Sequence, residues 1–426
     1  MKKIVLAALA AASLLHGAEE VYLKDIAFLL DAFEQQAGGL MKVKGMDWQR
    51  VREDFSGRAK SVKSHQEHLA LVHALIGALH DGHAGIVKSQ VRPPDESKGR
   101  RYTGPRVHLA ISGEKVLVRA AFKDAADAGI RAGQEVIAVD GTPACEWLDQ
   151  RIAAMEERGS SFSTRHQALY AACHWGLADW EGSAIRFELR KPGGETFGVE
   201  KKRLGGPNHV PLGPVFPPSG LESVGRQTFG LTPEGYAYIH LRDVPENLPQ
   251  QLDQMLARLV KAPGLILDLR ANGGGGCDHA AVMSRFLAKG QPWGYYEGAA
   301  DLNFTGPMVV ILDAGTRSAG ETVAALFRET GRAHVIGDSP SAGMSSRKTE
   351  VEVPSGLFRV RFSVASNMTK SNAGRGIEGL GIQPHEIVPL NATDLDKQKD
   401  THLQRAVTLL RNGFPEDTVD YTGPPK

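Results

Sequence analysis

The sequence predicts an α/β chain of several domains: a helical N-terminal region, a β-rich middle module, and a core in which strands and helices alternate. Three observations predict it. The chain has 426 residues, more than one ordinary core organises. Apolar residues recur at helical spacing early in the chain. After a Pro/Gly-rich stretch at 204–220, short apolar runs alternate with helix-compatible segments, as crossover connections require.

The elements follow in order. Lys2 and Lys3 precede an apolar run from Ile4 to Leu15, which reads as a signal peptide over 1–18 and is short for a membrane span. Ala18 is the expected last residue before cleavage, although His16 departs from the small-residue rule. The mature protein is therefore expected to be exported, periplasmic or secreted, with no stable membrane insertion. Residues 19–99 form the helical region. Leu69, Val72, Leu75, Ile76 and Leu79 mark one helical face, expected to end at Asp81-Gly82.

Residues 100–203 read as β-rich. Runs at 107–111 and 115–119 flank Ser112-Gly113, Glu135–Val139 runs into Asp140-Gly141, and runs at 185–189 and 196–199 flank Pro192-Gly193-Gly194. A helical insertion is expected over 146–182. A linker spans 204–230, the α/β core 231–395, and a helix and tail 396–426. In the core, strands are expected at 236–241, 265–269 and 309–312, and helices at 248–260, 279–287 and after Ser318.

Composition narrows the function. The net charge is +1 with no basic stripe, which gives no support for nucleic-acid binding. Of three cysteines, Cys145 and Cys173 are the more economical disulfide pair in an oxidising compartment, leaving Cys277 free. No C-x-x-C or H-E-x-x-H is present. The five histidines between 65 and 83 are the rival metal cluster, but no metal and no cofactor is expected.

Ser318 sits where the apolar run 309–312 turns into a helix. Unpaired N–H groups at a helix start stabilise an anion, so a serine there can attack a carbonyl. It can equally cap the helix, and the local sequence leaves both open. Asp268-Leu-Arg-Ala-Asn runs into four consecutive glycines, Gly273 to Gly276, which suit an oxyanion loop, a phosphate loop without a Walker lysine, or a plain turn. His83 is a candidate general base. Glu378 lies in a glycine-rich segment and orients a histidine or pairs with Arg375.

Taken together, these segments resemble the tail-specific, or C-terminal-processing, serine peptidase family. The matching motifs are Leu79–His83, Asp268–Gly275, Ser318–Glu321, Gly337–Gly343 and Ile377–Pro384, in that order. The resemblance implies peptidase S41 chemistry on a crotonase/ClpP-like peptidase core, with a polypeptide as substrate. Many members pair serine with a lysine in a G-K-G segment. Here the stretch is Ser341-Ala-Gly-Met-Ser345, so the chain is more similar to the tricorn-like branch, with Ser318, His83 and Glu378 as triad. The oxyanion hole is then expected from Ala319 with Gly273 or Gly274. That branch often carries serine before the histidine, where this chain has Gly82. Residues 100–203 resemble a PDZ domain through Ala128–Gly141, which implies tentative peptide binding at Tyr102, Gly104 and Val107. The alternative is a catalytically weak or inactive peptide- or ligand-binding protein on the same scaffold.

Overall fold

The computed structural model describes residues 2–204, 213–293, 296–298, 301–368 and 371–415, with side chains from Glu20 onward. It is a mixed α/β chain with several sheets. Among the described residues no helix is long and apolar enough to cross a membrane.

The N-terminal region is helical, as its periodicity requires: Lys2–Val43, Trp48–Ala59 and His65–Gly77. Ser64 caps the last of these by accepting from the Glu67 amide at 3.2 Å. This helix ends at Gly77, earlier than expected, because it packs on the helix Ala144–Glu157. A Cβ at Gly77 would stand 2.2 Å from the Glu156 carbonyl oxygen. Asp81, Gly82 and His83 therefore occupy a turn rather than a helix end.

The strand Gly85–Ser89 that follows joins a three-stranded antiparallel sheet with Phe358–Ser366 and Ser346–Glu352. Phe33, Leu75, Phe358 and Phe362 share one buried cluster. The helical region and residues 346–366 thus have a common core, although Ile86 and its ladder partner Val360 stand far apart in sequence.

The middle module is a sheet built on Val107–Ser112, Lys115–Ala121, Glu135–Val139, Ala184–Arg190 and Thr196–Lys202, in that spatial order, with Val107–Ser112 at one edge. The expected hairpins are present, and Asp140 and Gly141 take φ of 50° and 80° in the turn. Helices Ala144–Glu157 and Arg165–Trp175 make up the insertion. The three cysteines are free thiols: Cys145 is exposed and Cys173 buried, so the expected disulfide is corrected.

The core is a seven-stranded sheet in the order Glu222–Val224, Gln227–Leu231, Ala237–His240, Leu265–Asp268, Met308–Leu312, His334–Gly337, Glu386–Ile387. The last five run parallel to one another; Ala237–His240, Leu265–Asp268, Met308–Leu312 and His334–Gly337 are buried throughout, while Glu386–Ile387 forms the more exposed edge. The first two strands lie inside the span expected to be linker. Helix His279–Ser284 is shorter than expected. Asp268 and Arg270 form a buried pair that also holds Asp400, tying the start of the helix Thr401–Asn412 to the sheet. The Asp-Leu-Arg motif is thereby an anchor. The Arg270 guanidinium holds Asp268 down at about 2 against the opposing effect of burial.

Candidate active site

Met308–Leu312 delivers the chain to the turn, and the helix Ala319–Glu329 departs from it. Ser318, between them, has φ 56° and ψ −124°. That region is strained for a residue with a side chain and persists only where the surroundings enforce it. Glu321 enforces it. This carboxylate is fully buried and accepts from the Ser318 amide at 3.0 Å, the Gly343 and Met344 amides at 2.7 and 2.9 Å, and the Ser341 hydroxyl at 2.7 Å. Burial pushes Glu321 up to about 8, against these donors.

Gly274 presses on the same serine. A Cβ on it would stand 2.6 Å from Ser318 Cβ, and its φ is +80°, so the position takes only glycine. The glycine amides are already engaged: Gly273 donates to the Arg242 carbonyl and Gly274 to Asn272 Oδ1, both at 2.9 Å. Ala319, first in its helix, has no intrahelical acceptor for its amide.

His83 stands on the turn between the helix and the three-stranded sheet. Its Nδ1 shares a 3.2 Å hydrogen bond with Ser346 Oγ. Ser346 in turn meets Ser363 at 2.6 Å, and Ser363 donates its hydroxyl to Asp81 at 2.8 Å. Asp81 also accepts the His83 amide at 2.9 Å. Burial and then the nearby Lys348 charge lower His83 to about 4, with Asp81 opposing them, so its imidazole is neutral at neutral pH.

Glu378 is fully buried. Its Oε1 accepts from Lys44 Nζ at 2.9 Å and from Ser163 Oγ at 2.8 Å, while Oε2 has no hydrogen-bond partner among the described residues. Carboxylate oxygens of Asp81 and Glu378 and a ring nitrogen of His83 all lie within 4.8 Å of one another. Burial raises the Glu378 carboxyl, and the Lys44 charge opposes that.

The structure therefore gathers His83 and Glu378. Ser318 reaches them through Met344, whose carbonyl accepts the Ser318 amide at 3.0 Å and whose sulfur packs where a Cβ on Gly82 would be. No hydrogen bond joins Ser318 Oγ to His83, or His83 to Glu378, among the described residues. Catalytic contacts of this kind often tighten only around a substrate.

Other expected residues lie apart. Tyr102 pairs with Trp180 in a two-residue ladder, and Val107 opens the edge strand. A cavity of about 300 Å³ lies between that strand and the helix Arg165–Trp175, lined from Leu109 onward, and none of Tyr102, Gly104 and Val107 lines it. Of the five early histidines, His68 bonds Asp25, His65 bonds Tyr22, His73 packs on Gly159 and His80 faces Glu156 at 3.7 Å, which leaves His83 at the site. Lys44, Asp81, Ser163, Glu321, Ser346 and Ser363 were not singled out from sequence. Only Glu321 had a local signal, three residues after Ser318.

Comparison with known proteins adds the following. Residues 235–388 match peptidase family S41. The chain is 23% identical over 384 residues to a carboxyl-terminal-processing protease of Picosynechococcus sp., covering 85% of this chain and 83% of that one. It is 27% identical over 217 residues to the carboxy-terminal processing protease CtpA of Bacillus subtilis, covering 48% and 42%. Over 140 residues it is 32% identical to a carboxy-terminal-processing protease of Bartonella bacilliformis, covering 30% and 31%. Among solved structures, mature CPAF is similar in fold, with TM-score 0.68 at 14% identity, covering 93% of this chain and 99% of that one.

Proposed function

We propose, from the match of residues 235–388 to peptidase family S41, that this chain works as a serine-type peptidase with Ser318, His83 and Glu378 as its catalytic triad. The observation that carries the reading is a fully buried Glu378 whose carboxylate has an oxygen within 4.8 Å of a His83 ring nitrogen and an Oε2 with no partner among the described residues, in a site whose serine is held at positive φ.

In this reading Ser318 Oγ attacks the peptide carbonyl carbon. His83 takes the hydroxyl proton and returns it to the leaving amine, and water then releases the acyl group by the same route. Glu378 orients the ring and balances the imidazolium charge. The Ala319 amide donates to the developing oxyanion, with Gly274 joining only by exchanging its bond to Asn272.

The substrate is an unfolded or C-terminally presented polypeptide. The 100–203 module acts as a PDZ-like reader, adding a peptide strand at the free edge of Val107–Ser112, beside a crotonase/ClpP-like core. Lys2, Lys3 and the apolar run 4–15 support export. A fluorophosphonate probe tests the assignment. Labelling of the wild type at Ser318, and no cleavage of an unfolded protein by Ser318→Ala, are the expected results; an unlabelled wild type favours a binding protein on this scaffold.

A further inference from the structure

A cavity of about 320 Å³ is lined by residues next to Ser318 and His83 in the chain, though by none of the proposed triad itself. Its near wall is made of Arg317, which precedes Ser318, Gly82, which precedes His83, and Met344, which is bonded to the Ser318 amide. Its far wall comes from the insertion, outside the S41 segment, and is aromatic: Phe162, Tyr170 and Trp175. Phe162 is buried, and Trp175, 38% exposed, stands at the mouth.

Size and chemistry restrict what fits. The volume is at the lower end of the ~300–1,000 Å³ range of small-ligand sites, enough for one large side chain and too small for a length of peptide. Rings facing a ring gain about 0.5–1.5 kcal/mol beyond area burial. The Tyr170 hydroxyl is buried and has no partner among the described residues. A peptide brings backbone N–H and C=O groups along with its side chain, and these complete such a wall.

Resting on the peptidase reading above, we propose that this cavity is the specificity pocket, and that it takes an aromatic side chain from a residue flanking the scissile bond. The insertion helix thus sets which bond is cut, while Ser318, His83 and Glu378 cut it.

The test uses the full chain and matched peptides carrying Phe, Tyr or Ala on either side of one cleavable bond. We expect kcat/KM for the aromatic peptides to exceed that for alanine by about 10–100-fold at one flanking position. Ala171→Trp fills the cavity and Trp175→Ala opens its mouth; each is expected to cut that ratio at least about fivefold, a small part of the range above, while fluorophosphonate still labels Ser318 at the wild-type rate. Equal or better cleavage after alanine in a labelled wild type overturns the pocket alone. Absence of labelling in the wild type overturns the peptidase reading on which it rests. Because Ala171→Trp crowds a helix, Trp175→Ala decides the matter if the filled variant does not fold.

Discussion

Ser163 Oγ stands 2.8 Å from Glu378 Oε1 and, 2.9 Å away on its other side, accepts the Gly82 amide. One hydroxyl from the insertion thus joins the turn carrying His83 to the carboxylate proposed to orient it. From sequence, Gly82 looked like a missing support. In space, the hydroxyl comes from elsewhere, and the glycine leaves room for the ends of the Met344 and Gln167 side chains.

Gly82→Ser is therefore expected to harm the protein. The new Cβ would fall 2.8 Å from Met344 Sδ and 2.9 Å from Gln167 Nε2. Overpacking of this kind costs about 1–3 kcal/mol. Urea unfolding together with kcat checks it, and a gain in activity would count against the packing account.

Glu378 and Asp81 are expected to separate in their effects. Glu378→Gln should lower kcat by roughly 10²–10⁴-fold with KM little changed. Asp81→Asn should act first on stability, because Asp81 holds the His83 and Ser363 amides. Paired kinetic and unfolding measurements read both, and equal kinetic loss with unchanged stability in both variants would refute the division.

Lys44→Met leaves Glu378 without its cation in a site where the two side chains are 5% and 0% exposed. Removing one partner of such a pair costs about 3–5 kcal/mol unless the carboxyl takes up a proton. Since Lys44 lowers the Glu378 pKa and burial raises it, the variant carboxyl rises further. Activity should then fall at neutral pH and recover in part as pH is raised, whereas Lys44→Arg should retain most of it.

Since the base must be neutral and His83 is depressed to about 4, the limb that its titration gives kcat/KM should lie near pH 4, well below an ordinary histidine and below the limb from Glu378, whose carboxyl pKa is raised by burial. Lys348 disfavours the imidazolium, so Lys348→Met raises the pKa and moves the limb to higher pH. A limb unmoved by that change would remove Lys348 from the account.

Much of the fold was legible because its signals are local. The spacing of Leu69, Val72 and Leu75, the Asp140-Gly141 turn and the apolar run before Ser318 each act within a few residues. The motifs around Ser318, His83 and Glu378 were legible through family resemblance. What sustains them was not. Ser163 and Lys44 meet Glu378 across 215 and 334 positions, and an isolated serine or lysine carries no pattern that reports such a meeting. The Pro/Gly-rich stretch misled in a different way. It hid that Gln227–Leu231 pairs with Ala237–His240, since composition near a strand says little about its partner.

The N-terminal half of the insertion helix Arg165–Trp175, with its cap Thr164, is bound to the surroundings of Ser318. Thr164 Oγ1 donates to the Ala342 carbonyl, His166 bonds the Ser341 carbonyl, Gln167 reaches Met344 Sδ, and Tyr170 lies against Gly315. With Lys44 and Glu378 at the two ends of the set, the site draws on almost the whole chain. During synthesis, then, a nascent chain that stops short of Glu378 lacks a member of the proposed site, so the set closes only once 378 of the 426 residues have been made.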